Sequence, residues 1–376
     1  GKSDGKVSPF GGDLEGAPIN IEIYYHKGHE YNLEAMIKAI KRSLDYYTEN
    51  FSPYQHKQVR ILEFPRYASF AQSFPNTIPY SEAIGFIAQV DQDDEDDIDY
   101  PFYVTAHEVA HQWWAHQVIG GNVQGATVMS ETMSQYSALM VMEKEFGKEK
   151  MKKFLKYELD RYLRGRSFER KKELPLILVE NQGYIHYQKG GLVMYALRDY
   201  IGEDSLNEAL KKYIKAVAYQ QSPYTNSLEF LSYIKSATPD SLQYIIKDMF
   251  ETITLYENKT NEAVLQKRPD GKYAVKLKVS SKKLRADSLG NEKEIPVNDW
   301  IDIGIFSKSE LHSDKPSNSD KYSIGKPLYL KKHKINQPEM EFEIIVDELP
   351  WKAGIDPYNK LIDRDSGDNI KKVESD

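Results

Sequence analysis

Residues 107–111 read His-Glu-Val-Ala-His, and this segment constrains the chain more than any other. It lies in a stretch, residues 100–116, whose composition predicts an α-helix. Side chains four positions apart lie on one face of a helix, so His107 and His111 can hold a single metal ion. Zinc suits imidazole and carboxylate ligands, and a catalytic zinc site needs three protein ligands with a fourth position for water.

The residues around this motif favour a buried site over the alternative, a surface helix that carries His and Glu by chance. Apolar residues cover most of the helix circumference: Val104, Ala106, Val109, Ala110, Trp113 and Trp114. Buried imidazoles and carboxylates need partners, and a metal ion supplies one. Glu108 projects about 100° round the helix from His107, so it can reach a water at the metal.

A third ligand has to come from outside this helix, and Glu131 is the candidate. It lies in the first turn of a second predicted helix, residues 129–146, and twenty residues after His111. Glycines at positions 120, 121 and 125 allow the chain to turn back between the two helices. The alternative interpretation of Glu131 is a carboxylate that favours the positive end of its helix dipole.

Composition bounds the remaining possibilities. The chain has 376 residues, which is more than one domain is expected to use. Its net charge of −7 disfavours nucleic acid as a partner, and the absence of cysteine removes disulfides and thiolate ligands. No apolar window approaches 18 residues, so we expect no membrane contact by this chain itself. Because it begins with Gly1, we expect a processed product or a fragment.

The pattern along the chain predicts an α+β protein: a mainly helical domain with a small mixed sheet, followed by a β-sandwich. We predict five regions: a flexible arm or tether (1–18), the domain with the metal site (19–253), a linker (254–261), the sandwich (262–362) and a charged tail (363–376). Predicted strands of the first domain are 19–25, 59–64 and 84–90, and its further helices are 33–50, 148–165, 187–201, 205–219 and 240–252. Alternating runs at 273–279, 300–306 and 342–346 predict the sandwich.

With His107, Glu108, His111 and Glu131 in place, the chain resembles the M1 family of zinc aminopeptidases, gluzincins with a thermolysin-like catalytic domain. His111 is followed by Gln-Trp-Trp, similar to the family's Gln-Trp-aromatic sequence. Residues 187–191, Tyr-Gln-Lys-Gly-Gly, resemble its Tyr-x-Lys-Gly segment. The resemblance implies one zinc ion per chain, Glu108 as general base, and a transition-state contact from the tyrosine hydroxyl.

That tyrosine is Tyr187, and its alternative role is plain core packing, because the chain has 27 tyrosines. Two histidines near the motifs are expected to be less important. His116 points off the ligand face and is interpreted as a packing residue. His186 is interpreted as an exposed or hydrogen-bonded side chain.

Glu82 is the candidate for binding the substrate's free α-amine. The family's Gly-x-Met-Glu-Asn motif has its nearest counterpart in residues 80–85, Tyr-Ser-Glu-Ala-Ile-Gly, which keep the Glu and the later Gly. In the family this Glu binds the amine, and the adjoining strand pairs with the peptide backbone. The alternative for Glu82 is a solvent-facing carboxylate at a strand end.

The chain also departs from the family pattern. Nineteen residues separate His111 from Glu131 where the family has eighteen, and we expect the extra one in the loop of residues 120–125. Ser130 and Thr132 flank Glu131 where the family has Asn and Gly. The family's N-terminal β domain and its C-terminal helical domain, which roofs the cleft, have no counterpart. The site is therefore expected to be more exposed than in most relatives.

The favoured function is zinc-dependent removal of N-terminal residues from peptides. One alternative is a zinc endopeptidase with an open cleft, and another is a weakly active zinc-bound module that serves a membrane permease partner. Residues 354–364 resemble the ending of a bacterial subgroup whose peptidase region follows a membrane-embedded, permease-like segment. That resemblance implies a full-length protein that is membrane-tethered and extracytoplasmic.

Overall fold

The computed structural model describes residues 2–7, 18–91, 97–308 and 324–375. These residues form two compact units, one of residues 1–145 and 176–247, the other of residues 146–175 and 248–376. The division differs from the predicted one because helix α4 (Met151–Ser167) belongs to the second unit. No helix in the described ranges is long and apolar enough to cross a membrane.

The first unit contains a four-stranded mixed sheet in the order β1-β2-β3-β4. Strands β1 (Lys2–Val7) and β2 (Ile19–Tyr24) are antiparallel, whereas β2, β3 (Gln58–Phe64) and β4 (Thr77–Ser81) run parallel. Residues 2–7 thus form a strand where an arm was predicted; residues 8–17 of that arm lie outside the described residues. The predicted strand at 84–90 is wrong, because the chain turns there and the Ile87 N–H bonds to the Glu82 carbonyl at 2.9 Å.

Helix α1 (Leu33–Asn50) has its predicted bounds and buries one face, including Met36, Ile40 and Tyr47. Helix α2 (Tyr100–Ala110) is capped by Asp99, whose side chain accepts the Phe102 N–H. It ends six residues before its predicted end at residue 116, because the Gln112 and Trp113 N–H groups bond three residues back, to the Val109 and Ala110 carbonyls, instead of four.

The other helices of this unit follow the predictions with shifted ends. Helix α3 (Met133–Phe146) is preceded by a π-helical turn (Val128–Thr132), and α5 (Gly190–Ile201) by another (Tyr184–Lys189). Helices α6 (Glu203–Val217), α7 (Ser227–Ala237) and α8 (Gln243–Ile246) follow, and α7 was not predicted.

The second unit packs α4 with two β-sheets. One sheet has the order β10-β6-β5-β13 with β7 on β6; the other has the order β12-β11-β8-β9. The strands are β5 (Ile253–Lys267), β6 (Tyr273–Ala286), β7 (Glu292–Ile295), β8 (Asp299–Ser307), β9 (Lys326–Ile335), β10 (Glu339–Val346), β11 (Lys352–Ile355), β12 (Ile370–Lys372) and β13 (Glu374–Ser375). Alternate residues such as Leu277 and Ile303 form the core between the sheets.

Two predicted regions of this unit need correction. Residues 254–261, predicted as a linker, lie inside β5, and residues 363–375 of the predicted tail contribute β12 and β13. Their polar residues are buried and bonded: the Asp363 carboxylate accepts the Asn258 N–H at 2.9 Å, and Thr260 donates to the Asn369 carbonyl at 2.6 Å. Internal hydrogen bonding, which composition does not reveal, explains the polarity of both segments.

Candidate metal centre and catalytic residues

The structure brings together the three predicted ligands, which we call the metal centre: His107, His111 and Glu131. Each offers one ligand atom, and these atoms lie within 4.8 Å of one another. Glu131 Oε2 is 3.4 Å from His107 Nε2 and 3.2 Å from His111 Nε2. Both imidazoles are buried, His107 on the last turn of α2 and His111 at the C-cap position that follows it, as the four-residue spacing predicts.

The residues present fit a zinc ion. Glu131 Oε2 is buried beside both Nε2 atoms but forms no hydrogen bond of good geometry with a described residue. Buried carboxylate oxygens need partners, and a divalent cation would satisfy all three atoms at once. Burial alone would raise the pKa of the Glu131 carboxyl, but the two imidazoles hold it well below its usual range. Glu131 is therefore an anion at the point where a cation would bind.

His111 is oriented by the turn that follows α2. Its Nδ1 lies 3.0 Å from the Trp114 carbonyl oxygen and 3.0 Å from Ser134 Oγ. A carbonyl only accepts hydrogen bonds, so we assign the proton to Nδ1, which leaves the Nε2 lone pair for a metal. The early end of α2 thus supplies the group that fixes the tautomer of a ligand.

Glu108, the predicted general base, is buried next to the metal centre. Burial raises the pKa of its carboxyl, the neighbouring imidazoles oppose that shift, and the backbone N–H of Ser73 donates a hydrogen bond to it. Ser73 lies in a loop that is held by Gln112, in the turn that follows α2. Gln112 donates to Ser73 Oγ at 2.7 Å and to the Phe74 carbonyl at 2.9 Å, and its Oε1 accepts the Asn76 N–H at 2.8 Å.

This loop is a functional element that sequence reasoning missed. Gln112 could have pointed to this loop, because it is a polar residue among apolar neighbours in the sequence. In the structure it is completely buried. His116 also contacts the loop, with Nε2 3.3 Å from the Ser73 carbonyl oxygen.

Tyr187 lies beside the metal centre on a π-helical turn. Its ring centroid is 5.7 Å from that of His107, and its hydroxyl is hydrogen-bonded to Glu131. Burial and the nearby Glu131 carboxylate both raise its pKa, so the hydroxyl keeps its proton at neutral pH. The approach requires Gly190, since a Cβ at that position would overlap the Thr132 side chain next to Glu131.

Glu82 belongs to a different group, which we call the His29 cluster: His29, Glu63 and Glu82. Their ligand-type atoms also lie within 4.8 Å of one another. Glu63 Oε1 is 2.5 Å from His29 Nδ1, and its other oxygen accepts the His26 N–H. Glu82 Oε1 accepts the Arg66 N–H at 3.1 Å, while Oε2 lies 3.9 Å from His29 Nδ1.

His186 differs from its predicted role as an exposed or hydrogen-bonded side chain. It is only 6% exposed, and its ring centroid lies 4.4 Å from that of Tyr187. Its Nδ1 has no hydrogen-bond partner among the residues described. Burial lowers its pKa to about 4, so it is a neutral imidazole beside the tyrosine at physiological pH.

Comparison with known proteins assigns the family. A family model described as the peptidase family M1 domain matches residues 31–252, more than half of the chain. The chain belongs to peptidase family M1. The resemblance predicted from the motifs is therefore confirmed at the level of the family.

Individual relatives are distant. Human endoplasmic reticulum aminopeptidase 2 is 20% identical over 211 residues, which are 54% of this chain and 22% of that protein. Legionella pneumophila aminopeptidase A, solved with aspartic acid, superposes with a TM-score of 0.57 and 16% identity over 97% of this chain and 38% of its own. A mutant M1 zinc metallopeptidase from Deinococcus radiodurans, bound to Tyr-Ser-Ala, gives a TM-score of 0.47 and 15% identity over 65% and 51%.

The Legionella structure supports the fold class, and the coverages give the extent of each match. The likeness to the Legionella enzyme confirms the predicted combination of a mainly helical catalytic domain and a β-rich unit. The chain spans about a fifth of the human protein and under two fifths of the Legionella enzyme.

Proposed function

We propose that this chain hydrolyses peptide bonds with one zinc ion per chain and acts as an aminopeptidase. The observation that carries this proposal is the convergence of three ligand atoms within 4.8 Å beside Glu108 and Tyr187. Membership of the M1 family supports it. Two of the relatives are named aminopeptidases, which favours removal of N-terminal residues.

Each residue then has a defined task. His107, His111 and Glu131 would hold the zinc ion, which when bound would supply a Lewis acid for the substrate carbonyl and for a water. Glu108, oriented by the Ser73 N–H, takes the proton from the attacking water and returns it to the leaving amine. Tyr187 donates a hydrogen bond from its hydroxyl, which keeps its proton, to the substrate oxygen as that oxygen gains negative charge.

We assign Glu82 to the substrate's α-amine. One of its oxygens is already held by the Arg66 N–H, and Oε2 makes only the 3.9 Å approach to His29. The Glu63 carboxylate bonded to His29 raises the pKa of that imidazole, which favours its charged form. The two carboxylates and the imidazolium carry one negative charge together, and the Arg66 guanidinium, with Nε 3.9 Å from Glu82 Oε1, partly offsets it, so a substrate ammonium would compete with Arg66 for Glu82.

The position of Glu82 also favours a second candidate, an endopeptidase. Ser73, which contacts Glu108, lies opposite Ile78 on β4, and Glu82 follows four residues later. Four residues of extended chain span about 13 Å, more than the length of one residue. An amine held at Glu82 would accordingly lie several residues from the cleaved bond, or cleavage would be internal.

A panel of peptides distinguishes these candidates. We expect one zinc per chain by elemental analysis and turnover of peptides that have a free N-terminus, while N-acetylated copies resist. Reporters carrying one, two or three residues before the cleaved bond measure the distance between amine and cleavage site. Equal cleavage of blocked and free peptides would support the endopeptidase, and zinc binding without any turnover would support the weakly active module.

A further inference from the structure

Lys152 is a buried lysine in the first turn of helix α4, within the second unit. It is only 7% exposed, although lysines are almost never buried to this extent unless they are paired. In the part of the chain that the structure describes, its ammonium group forms neither a hydrogen bond nor an ion pair. The proposed peptidase mechanism does not use Lys152, so its burial requires a separate explanation.

The charged groups near Lys152 are mostly cations. Burial, followed by the positive charge of Lys352 on strand β11, lowers the pKa of Lys152 to about 7. Asp356 opposes this shift, and Lys156, one turn further along α4, adds to it. A large share of the Lys152 amine is therefore neutral at physiological pH and has a free lone pair, which makes it a nucleophile.

Asp356, the carboxyl group that opposes the shift, is already bonded to the backbone. Its two oxygens accept the Lys360 N–H and the Leu361 N–H, each at 3.0 Å. Burial raises the pKa of Asp356 to about 7, so its negative charge is incomplete at neutral pH. The protein thus surrounds the Lys152 amine with other cations and gives it no counter-ion of its own among the described residues.

We propose that Lys152, buried beside Lys352 without a counter-ion, reacts reversibly with dissolved carbon dioxide to form a carbamate. The lone pair of the neutral Nζ attacks the carbon atom, a C–N bond forms, and one C=O π bond breaks as its electron pair moves to oxygen. Nζ then loses a proton to water, which leaves a carbamate with a single negative charge. This proposal is independent of the peptidase function, because it concerns residues of the second unit alone.

Charge and size both favour carbon dioxide over other electrophiles. The product is an anion, so Lys352 and Lys156, which disfavour the ammonium form, stabilise the carbamate. Lys352 is itself placed by the ring of Trp351, whose centroid lies 4.0 Å from its Nζ. An aldehyde would instead give an imine that is cationic when protonated, and the same lysines would disfavour it. Carbon dioxide is also small enough for a side chain with little free surface.

The modification can be observed directly on the zinc-loaded full chain. The protein is equilibrated near neutral pH with isotopically labelled bicarbonate, and we expect a carbamate resonance from Lys152 in the carbon NMR spectrum. A trialkyloxonium salt then traps the carbamate as an ester, and mass spectrometry of the digested chain locates it. Because an N-terminal amine also forms carbamates near neutral pH, the resonance is assigned by its loss from Lys152→Met.

Lys153→Met, the same substitution at the next position of α4, is the matched control and should keep the resonance. Lys352→Met should raise the carbon dioxide concentration needed for half-occupancy about tenfold, because a cation that stabilises the carbamate and disfavours the ammonium is lost. Thermal unfolding verifies that all three variants fold. Trapping on the wild-type chain needs no variant, so it tests the proposal even where a variant does not fold.

A resonance that Lys152→Met retains, or an ester found only on other amines, overturns the proposal. Equal thermal stabilisation by bicarbonate and by phosphate, without a carbamate resonance, also overturns it. That result would mean that Lys152 and Lys352 bind an anion without covalent chemistry. Each of these outcomes leaves the proposed peptidase function standing, and loss of peptide turnover would leave the carbamate standing.

Discussion

The metal centre and the His29 cluster have the same kinds of donor atoms at similar separations, yet they differ in how those atoms are satisfied. In the His29 cluster, three of the four carboxylate oxygens accept hydrogen bonds from His29, the His26 N–H and the Arg66 N–H. In the metal centre, Glu131 Oε2 is buried without such a bond. Convergence of histidine and carboxylate is therefore not enough to indicate a metal site; donors that the protein leaves unsatisfied are the better sign.

The largest expected effect is loss of metal from Glu131→Ala. Removing a ligand should weaken zinc binding by more than the roughly 100-fold seen when only a supporting residue is lost. Elemental analysis after dialysis against a graded chelator series measures it. Glu63→Ala is the matched control, because it removes a carboxylate from the His29 cluster and should leave zinc bound. If Glu63→Ala lost zinc while Glu131→Ala retained it, the His29 cluster and not the metal centre would be the zinc site.

Glu108→Gln should lower kcat by roughly 10³-fold, within the range that general acid–base catalysis contributes. Zinc content should not change, because Glu108 is assigned no bond to the metal. Steady-state kinetics on a free peptide, together with metal analysis, checks both statements. Near wild-type turnover would remove Glu108 from the mechanism.

Tyr187→Phe should lower kcat by about 100-fold with a much smaller change in KM. The hydroxyl is assigned to charge that develops mainly in the transition state, and one such donor contributes about 10²–10³-fold. An effect confined to KM would place Tyr187 among residues that bind the ground state.

Glu82→Gln tests whether the His29 cluster holds the substrate amine. A hydrogen bond to a charged group contributes about 1.5–3 kcal/mol, so kcat/KM for free peptides should fall about 10–150-fold. N-acetylated peptides provide the internal control, since their slow cleavage should not change. Equal losses on both substrates would mean that the variant disturbs the site as a whole.

The smallest expected effect is on stability. Glu63 raises the pKa of His29 above its ordinary value of 6.5. The pair therefore stabilises the fold fully below pH 6.5, and the contribution is lost as pH rises through the raised pKa. The difference in Tm between wild type and His29→Gln should accordingly be full below pH 6.5 and shrink as pH rises above it. A difference that grows with pH would contradict this pairing.

Sequence predicted the part of the site that depends on local rules. The spacing of His107 and His111 determines a shared face of one helix, whatever the surroundings. The extra residue before Glu131 was expected in the loop at 120–125, but the π-helical turn at Val128–Thr132 can take up a residue as well. Such turns depend on tertiary contacts that spacing does not report.

Elements that depend on non-local pairing were missed. Residues 70–74 are held by backbone hydrogen bonds to β4 and by the side chain of Gln112, which lies forty residues further along the chain than Gln72. The strand that includes residues 254–261 was mistaken for a linker because its polar side chains are satisfied inside the sandwich, as the Ser281 bond to Asn258 at 2.6 Å illustrates. Composition shows how polar a segment is, but not whether its polar side chains are exposed or buried.

The close approach of Gly190 and Thr132 links two proposed functions of the site, metal binding by Glu131 and transition-state stabilisation by Tyr187. Thr132 follows the carboxylate ligand, and its hydroxyl donates to the His186 carbonyl next to Tyr187 at 2.6 Å. A methyl group at position 190 would push apart the two turns that carry the ligand and the tyrosine, so metal affinity and turnover would decline together. Serine at position 132 would not relieve the overlap, because it keeps the oxygen nearest to the added methyl group. Alanine would remove both Oγ1 and Cγ2, together with the hydrogen bond to the His186 carbonyl. We therefore expect substitutions at positions 190 and 132 to occur together in evolution, and metal affinity and turnover to change together.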